Sequence, residues 1–314
     1  MASIRPSAAA SRGPALALLL LGLGWPPAAA PAVAAAGILG QCWTPAQLRD
    51  GSGGATPATT QGAPAVSPLP PVPARLRGLI RSVRPAGEEK LVALTFDLCE
   101  SGGTTSGYDA PLVAYLRDEG VRATFFAGGK WLRSHPEPAL QLLADGRFEV
   151  GNHSWSHKDF RGLAPAPLGE QIQGTQTEYA RLRAALAGRE CTAAAGFHAL
   201  DAVPAQPALF RFPYGHCDAQ SLAAVAEAGL PAIQWSIVTG DPAKGQGADA
   251  IARAILDHVK PGAIVVAHAN GRGWHTAEAM RKVVPELRRR GYRFVTVSEL
   301  LATGEPVIAD RCYE

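Results

Sequence analysis

The chain predicts an α/β fold in which a parallel sheet is wrapped by helical crossovers. Three features carry that expectation. Short apolar runs alternate with stretches of helical periodicity from Leu91 to Val297. The helical stretches close on turn residues, at Gly229, at Pro261-Gly262 and at Gly291. Seven strands result, a count that suits a distorted or incomplete barrel better than an open sheet.

Taken in order, residues 91–96 form an apolar strand, and 111–119 follow as a helix that opens on Pro111. Residues 123–127 are a second strand and 137–144 a helix; 148–150 are a short third strand and 168–187 a long helix. The fourth strand is expected at 209–212 with a helix at 219–228, and the fifth at 231–237 with a helix at 248–259. The sixth strand falls at 263–267, a helix at 276–289, and the last strand at 292–297. The connection 189–206 is long for such a fold and reads as a flap or an insertion.

Of 314 residues, 47% are hydrophobic and 18% charged, enough apolar surface for a sizeable core. The formal net charge is +3, with Arg5 and Arg12 in the extreme N-terminus. That balance excludes a nucleic-acid footprint; the densest basic cluster, Arg288-Arg289-Arg290, simply ends a helix. Residues 1–36 read as a signal peptide: a basic start, an apolar run over 15–24, and small residues up to Ala34-Ala35-Ala36. The run is too short for a stable membrane span, so the expected location is secreted or periplasmic. Residues 37–75 read as a short N-terminal segment and a Pro/Gly/Ala/Thr-rich linker, 76–304 as the folded domain, and 305–314 as a tail.

Function should lie where the strands end. After the first strand come Asp97, Leu98, Cys99 and Glu100; after the third, Asn152, His153 and His157. The fourth carries Arg211 into Phe212-Pro213-Tyr214-Gly215, the fifth leads toward Asp241, and the sixth into His268, Asn270, Arg272 and His275. On a helical turn, His153 and His157 would share one face, half of a zinc-type ligand set. No G-x-S-x-G elbow is present, which disfavours a serine hydrolase.

These residues stand in motifs. Thr95-Phe96-Asp97, His153-Ser-Trp-Ser-His157, Arg211-Phe212-Pro213-Tyr214, Trp235 through Asp241, and Val266-Ala267-His268 occur in that order. In this the chain resembles the polysaccharide deacetylases, the NodB-homology or carbohydrate esterase family 4 domains, over about residues 91–300. The resemblance implies a distorted (β/α) barrel and a metal-dependent hydrolase that removes acetyl groups from an N- or O-acetylated polysaccharide. It implies His153 and His157 as metal ligands, for zinc first and for cobalt or nickel on the same ligands. It further implies Asp97 as general base, Arg211 as its ion partner, Tyr214 as a backbone oxyanion donor, His268 as general acid, and Asp241 as the acid that tunes His268. Where the family has a second, metal-binding aspartate, this chain has Leu98; Glu100 is the expected replacement ligand. Pro242 and Val238 also depart from the pattern, which keeps open a catalytically impaired sugar-binding module or a hydrolase of another non-peptide amide on the same fold. Trp155, Trp235, Asn270, Trp274 and His275 are the expected substrate contacts. With five cysteines, the expected bridges are Cys99–Cys217 and Cys42–Cys312, leaving Cys191 over.

Overall fold

The computed structural model describes residues 1–2, 38–53, 64–101, 106–196, 198–309 and 311–312. The expected signal peptide, beyond its first two residues, and linker residues 54–63 lie outside the described residues. Contacts divide the chain into Met1–Pro31, of which only Met1 and Ala2 are described, and Ala32–Glu314, which carries every element below. Among the described residues, no helix is long and apolar enough to cross a membrane.

Among the described residues the sheet has nine strands: β1 Leu79–Pro85, β2 Leu91–Leu98, β3 Ala123–Ala127, β4 Phe148–Asn152, β5 Ala232–Ile233, β6 Ile237–Val238, β7 Ala263–His268, β8 Arg293–Phe294 and β9 Gly304–Ala309. The main order is β4-β3-β2-β7-β1-β5, with β6 on β7, β8 on β2 and β9 on β1. The sheet curls until Phe210 bridges both of its end strands, through Asn152 of β4 and Ala232 of β5. The fold is therefore a distorted (β/α) barrel. The expected fourth strand contributes only that one bridging residue. The expected fifth strand, 231–237, is split into the short β5 and β6. Two strands were not expected at all: β1, which carries two arginines, and β9, which forms from the stretch expected as a tail and pairs antiparallel with β1 along its length.

Alternation along the central strands sorts residues into two layers. Val92, Leu94, Phe96 and Leu98 of β2 join Val265 and Ala267 of β7 in the cluster packed under the helices. Leu91 and Ala93 join Ile264 and Val266 in a second cluster, with Phe126 and Ile233. Because β2 is buried on both faces, it reads as an apolar run over Leu91–Leu98 that is interrupted only at Thr95 and Asp97. The face that carries Leu91 and Ala93 turns polar at Thr95 and Asp97. The paired face of β7 turns polar at His268, which lies in register with Asp97.

The connection expected as a flap is instead tied down. Residues Glu190–Ala194 form a short helix, and Cys191 in it is bonded to Cys42. The second bridge is Cys217–Cys312, and Cys99 is free. Both expected pairings are thus corrected. The cause is β9: its return along β1 carries Cys312 to the cluster that holds Cys217 and Phe210. Cys312→Ser is expected to lower folding stability by roughly 2–4 kcal/mol, seen as a fall in the urea midpoint under non-reducing conditions. An unchanged midpoint would mean that the C-terminal strand is held by its ladder alone.

Candidate active site

The site begins with strand alternation at the end of β2. Asp97 shares a face with Thr95, and both are buried. Arg211, fully buried, donates from Nη1 to Asp97 Oδ1 at 2.8 Å and to Thr95 Oγ1 at 2.7 Å. Its remaining donors meet the carbonyls of Ile233 and Gln234 at 3.3 and 3.2 Å. Burial alone would raise the pKa of Asp97. The charge and hydrogen bond of Arg211, its nearest cation, outweigh burial and leave it below the ordinary carboxylate value. Leu98, one step further, must face the opposite way, and it is buried in the cluster beneath the helices. Cys99 returns to the face of Asp97 and lines the same cavity, of about 290 Å³.

His153 and His157 follow β4, but not on the expected helical turn. The segment is a loop in which Ser154 and His157 take φ of 64° and 55°. Such left-handed, non-glycine residues cost about 1–3 kcal/mol each and persist where neighbours over-determine them. Here Asn152 Oδ1 accepts from Ser154 N at 2.9 Å, and Ser154 Oγ accepts from His157 N at 3.1 Å. Gln171 Oε1 accepts from Ser156 N at 3.0 Å. The two imidazoles end with centroids 5.0 Å apart. His153 Nδ1 lies 2.9 Å from the carbonyl of Arg211, which can only accept, so Nδ1 carries the proton. Its Nε2 then presents a lone pair; it is buried without a hydrogen-bond partner, 3.6 Å from Asp97 Oδ2. Burial, reinforced by His153, pushes His157 down to about 3, so it stays neutral at ordinary pH. Burial likewise lowers His153.

These features test the fit of a metal. Cys99 Sγ and one nitrogen each of His153 and His157 lie within 4.8 Å of one another. Neutral imidazoles, one with an orphaned buried nitrogen, form a donor set suited to a divalent transition metal, and the residues fit. Glu100, the expected third ligand, is engaged elsewhere: its Oε2 accepts from Ser134 Oγ at 2.6 Å and Ser106 N at 3.3 Å. Ser134 ends the helix Gly129–Ser134, which draws the carboxylate away from the imidazoles.

Across the cavity, His268 Nδ1 donates to Asp241 Oδ1 at 2.9 Å. Asp241, fully buried, also accepts from His268 N, Thr276 Oγ1 and Thr239 Oγ1 at 2.7, 2.6 and 2.9 Å. Burial opposes a charge on His268, but the hydrogen bond and charge of Asp241 prevail and raise its pKa. Tyr214 sits in a tight turn at φ 60°, its ring 4.4 Å from that of His157 and 54% exposed at the mouth.

The expected substrate contacts divide. Trp274 is 47% exposed, with Lys244 4.8 Å from its ring, and Trp235 is a buried wall of the cavity. Trp155 packs against Gly129 and Gly174 with Arg133 4.6 Å from its ring, so it braces the histidine loop rather than the mouth. The carboxamide of Asn270 is buried and donates to Cys99 O and Sγ at 2.8 and 3.1 Å. His275 opens the helix Thr276–Arg289 beside Glu278, 4.0 Å away. Sequence reasoning passed over Thr95, Thr239 and Thr276, the hydroxyls that hold Arg211 and Asp241, and it passed over the ligand potential of Cys99. Counting by twos from Asp97 would have found Cys99.

Comparison with known proteins gives a consistent result. The family described as Polysaccharide deacetylase matches residues 84–189. A peptidoglycan-N-acetylglucosamine deacetylase of Bacillus cereus is 31% identical over 216 residues, covering 68% of this chain and 89% of that protein. The crystal structure of the Bc1960 peptidoglycan N-acetylglucosamine deacetylase superposes with a TM-score of 0.58 at 26% identity, over 72% of this chain and 94% of the other. A carbohydrate esterase family 4 pseudoenzyme from Bacillus anthracis shares the fold at 23% identity, with a TM-score of 0.57 over 72% of this chain and 69% of the other.

Proposed function

The chain belongs to the polysaccharide deacetylase family of hydrolases, which cleave carbon–nitrogen bonds other than peptide bonds, and from that premise we propose that it removes N-acetyl groups from a cell-wall or chitin-type glycan. One observation carries the reading. Asp97 and His268 face one cavity from adjacent strands in register, and each is paired with an opposite charge that fixes its protonation state. A carboxylate held toward its ionised form beside an imidazole held toward its protonated form is a base–acid pair suited to hydrolysis.

In this mechanism Asp97 takes the proton of the attacking water, and Arg211 keeps that carboxylate ionised and oriented. The backbone N–H of Tyr214 donates to the oxyanion that develops on the acetyl carbonyl. His268, held by Asp241 through Nδ1, donates its other proton to the departing sugar amine. His153 and His157 would hold a divalent metal, zinc first, which supplies Lewis acidity and makes water a nucleophile near neutral pH. Trp274 offers an exposed ring on which a sugar can stack. The proposed catalytic domain is residues 76–304 together with the rest of β9, which pairs with β1 in its sheet. The two disulfides support export to the cell envelope after loss of residues 1–36.

Acetate release from chitin oligomers, peptidoglycan and acetylated xylan tests the reading. We expect turnover of the N-acetylated glycans only, abolished by chelation, and a loss of at least about 10²-fold in His153→Ala. Turnover unchanged by chelator and by His153→Ala would remove metal dependence. Retention of glycan without acetate release from any substrate would favour the impaired, sugar-binding reading that Leu98 motivates.

A further inference from the structure

We propose that Cys99, as a thiolate, is the third protein ligand of the metal centre and completes a two-histidine, one-cysteine set with His153 and His157. The inference rests on the metal-dependent reading above and adds to it a ligand that the family pattern does not supply. Four independent features of this chain converge on it.

The first is placement. Period-two alternation sends Leu98 into the core under the helices and brings Cys99 to the cavity that Asp97 lines. The second is proximity. The sulfur lies within 4.8 Å of a ligating nitrogen of each imidazole, so one ion can touch all three. On His153, Nε2 is buried without a hydrogen-bond partner. The third is elimination within the chain. Glu100 is committed to Ser134 and Ser106. The other four cysteines form the bridges Cys42–Cys191 and Cys217–Cys312, which leaves Cys99 as the free thiol.

The fourth feature is the support around the sulfur. The Asn270 carboxamide donates N–H to Cys99 Sγ at 3.1 Å and to Cys99 O at 2.8 Å. Its own oxygen is held by Arg272 N at 3.2 Å, which fixes the amide's orientation. Burial and the charge of Asp97 push the free Cys99 thiol up to about 12, so it is the bound metal that would displace the proton, and the Asn270 donor works in the same direction; outer partners of this kind set ligand orientation and metal affinity. Asn270 is on this view a positioning residue for the metal centre rather than a sugar contact. Exchanging a carboxylate for a thiolate keeps one negative charge on the ligand set. It also makes the set softer, which favours zinc and cobalt over magnesium, calcium or manganese.

Cobalt(II) decides the question without any assay of activity. The full chain, oxidised and stripped with a chelator, is titrated with cobalt chloride and followed by absorption. Coordination by sulfur gives an intense thiolate-to-cobalt charge-transfer band in the near ultraviolet, whereas imidazole and carboxylate give weak visible bands only. We expect the intense band at one equivalent and its loss in Cys99→Ser and Cys99→Asp. Zinc affinity, by competition with a chromophoric chelator, should fall about 10–100-fold in Asn270→Ala. Zinc chloride should also block alkylation of the single free thiol by iodoacetamide, and His153→Ala should remove that protection.

Stoichiometric cobalt binding that needs His153 but lacks the charge-transfer band, with Cys99 still alkylated in the presence of zinc, would overturn the thiolate ligand and leave metal dependence standing. No cobalt or zinc binding by the wild-type chain would overturn both. Should Cys99→Ser fail to fold, the wild-type spectrum and the alkylation protection still separate these outcomes.

Discussion

Arg211→Met is expected to lose roughly 3–5 kcal/mol of folding stability and to shift the acidic limb of activity to higher pH. The stability loss follows from what methionine leaves behind. Arg211 is fully buried, and its guanidinium lies between the rings of Phe126 and Trp235, 4.0 and 5.6 Å away. It satisfies Asp97, Thr95 and two backbone carbonyls at once. Methionine fills much of the volume but supplies none of the donors, so Asp97 becomes a buried carboxylate without its main counter-charge. Burial then dominates and the pKa of Asp97 rises. The sign is fixed by that group. In the native protein the pKa of Asp97 lies below the ordinary value, so ionisation supports stability and activity above the ordinary carboxylate range and is lost only as pH falls below it. In the variant the same loss begins at higher pH. Urea melts and a pH–rate profile read the two effects separately. Arg211→Lys should recover part of the stability, because lysine restores the charge but not the fork of donors. If Arg211→Met melts like the wild type and keeps its acidic limb, the ion pair does not set the state of Asp97.

The elements that were easiest to read in the sequence are those whose burial leaves an unbroken pattern. Strands β2, β3 and β7 are buried on both faces and show as apolar runs. The helix Thr276–Arg289 has both of its observed ends in the expected places. Strand β1, in contrast, reads Leu-Ile-Arg-Ser-Val-Arg-Pro, and β9 is half exposed, so neither has a strand-like signature until they pair with one another. That pairing also decides the disulfides, since Cys312 reaches Cys217 only because β9 turns back. The left-handed residues Ser154 and His157 were hidden for a different reason. Neither is glycine; Ser154 is held by Asn152, His157 by the Ser154 hydroxyl, and Ser156 between them by Gln171 on the following helix. The ion pairs at Asp97 and His268 were placed by family resemblance; spacing alone gives no hint that residues 114 apart, Asp97 and Arg211, share a hydrogen bond. The third ligand is the opposite case. Facing Asp97 inward forces Leu98 outward and brings Cys99 back, so the local pattern held the information that a position-by-position comparison, which stops at Leu98, passes over.

Asp241→Asn should move the alkaline limb of the kcat profile to lower pH and reduce kcat at neutral pH by about 10²–10⁴-fold, the usual reach of a general acid. The premise is the balance at His268. Its burial favours the neutral ring, and the hydrogen bond and charge of Asp241, helped by Asp97, overturn that preference and hold the pKa above the ordinary value. The protonated, donating form is therefore present below the raised pKa and is lost as pH rises through it. Asparagine keeps nearly the same shape and can still accept from Thr239, Thr276 or His268, but it carries no charge. Desolvation then prevails, the pKa falls below its ordinary value, and at neutral pH most molecules hold His268 without the proton it must give. Because Asp241 acts through His268, the two changes should not add: His268→Ala should already lack the limb, and Asp241→Asn in that background should change kcat little. A merely structural Asp241 would predict something else, a stability loss with an unshifted limb, and the pH profile separates the two. Zinc affinity reads a separate property, since neither substitution replaces Cys99, His153 or His157, and it should change little in Asp241→Asn. A fall in zinc affinity in Asp241→Asn would show instead that the acid arm and the metal arm of the cavity are mechanically coupled through β7 and the strand that bears Asp97.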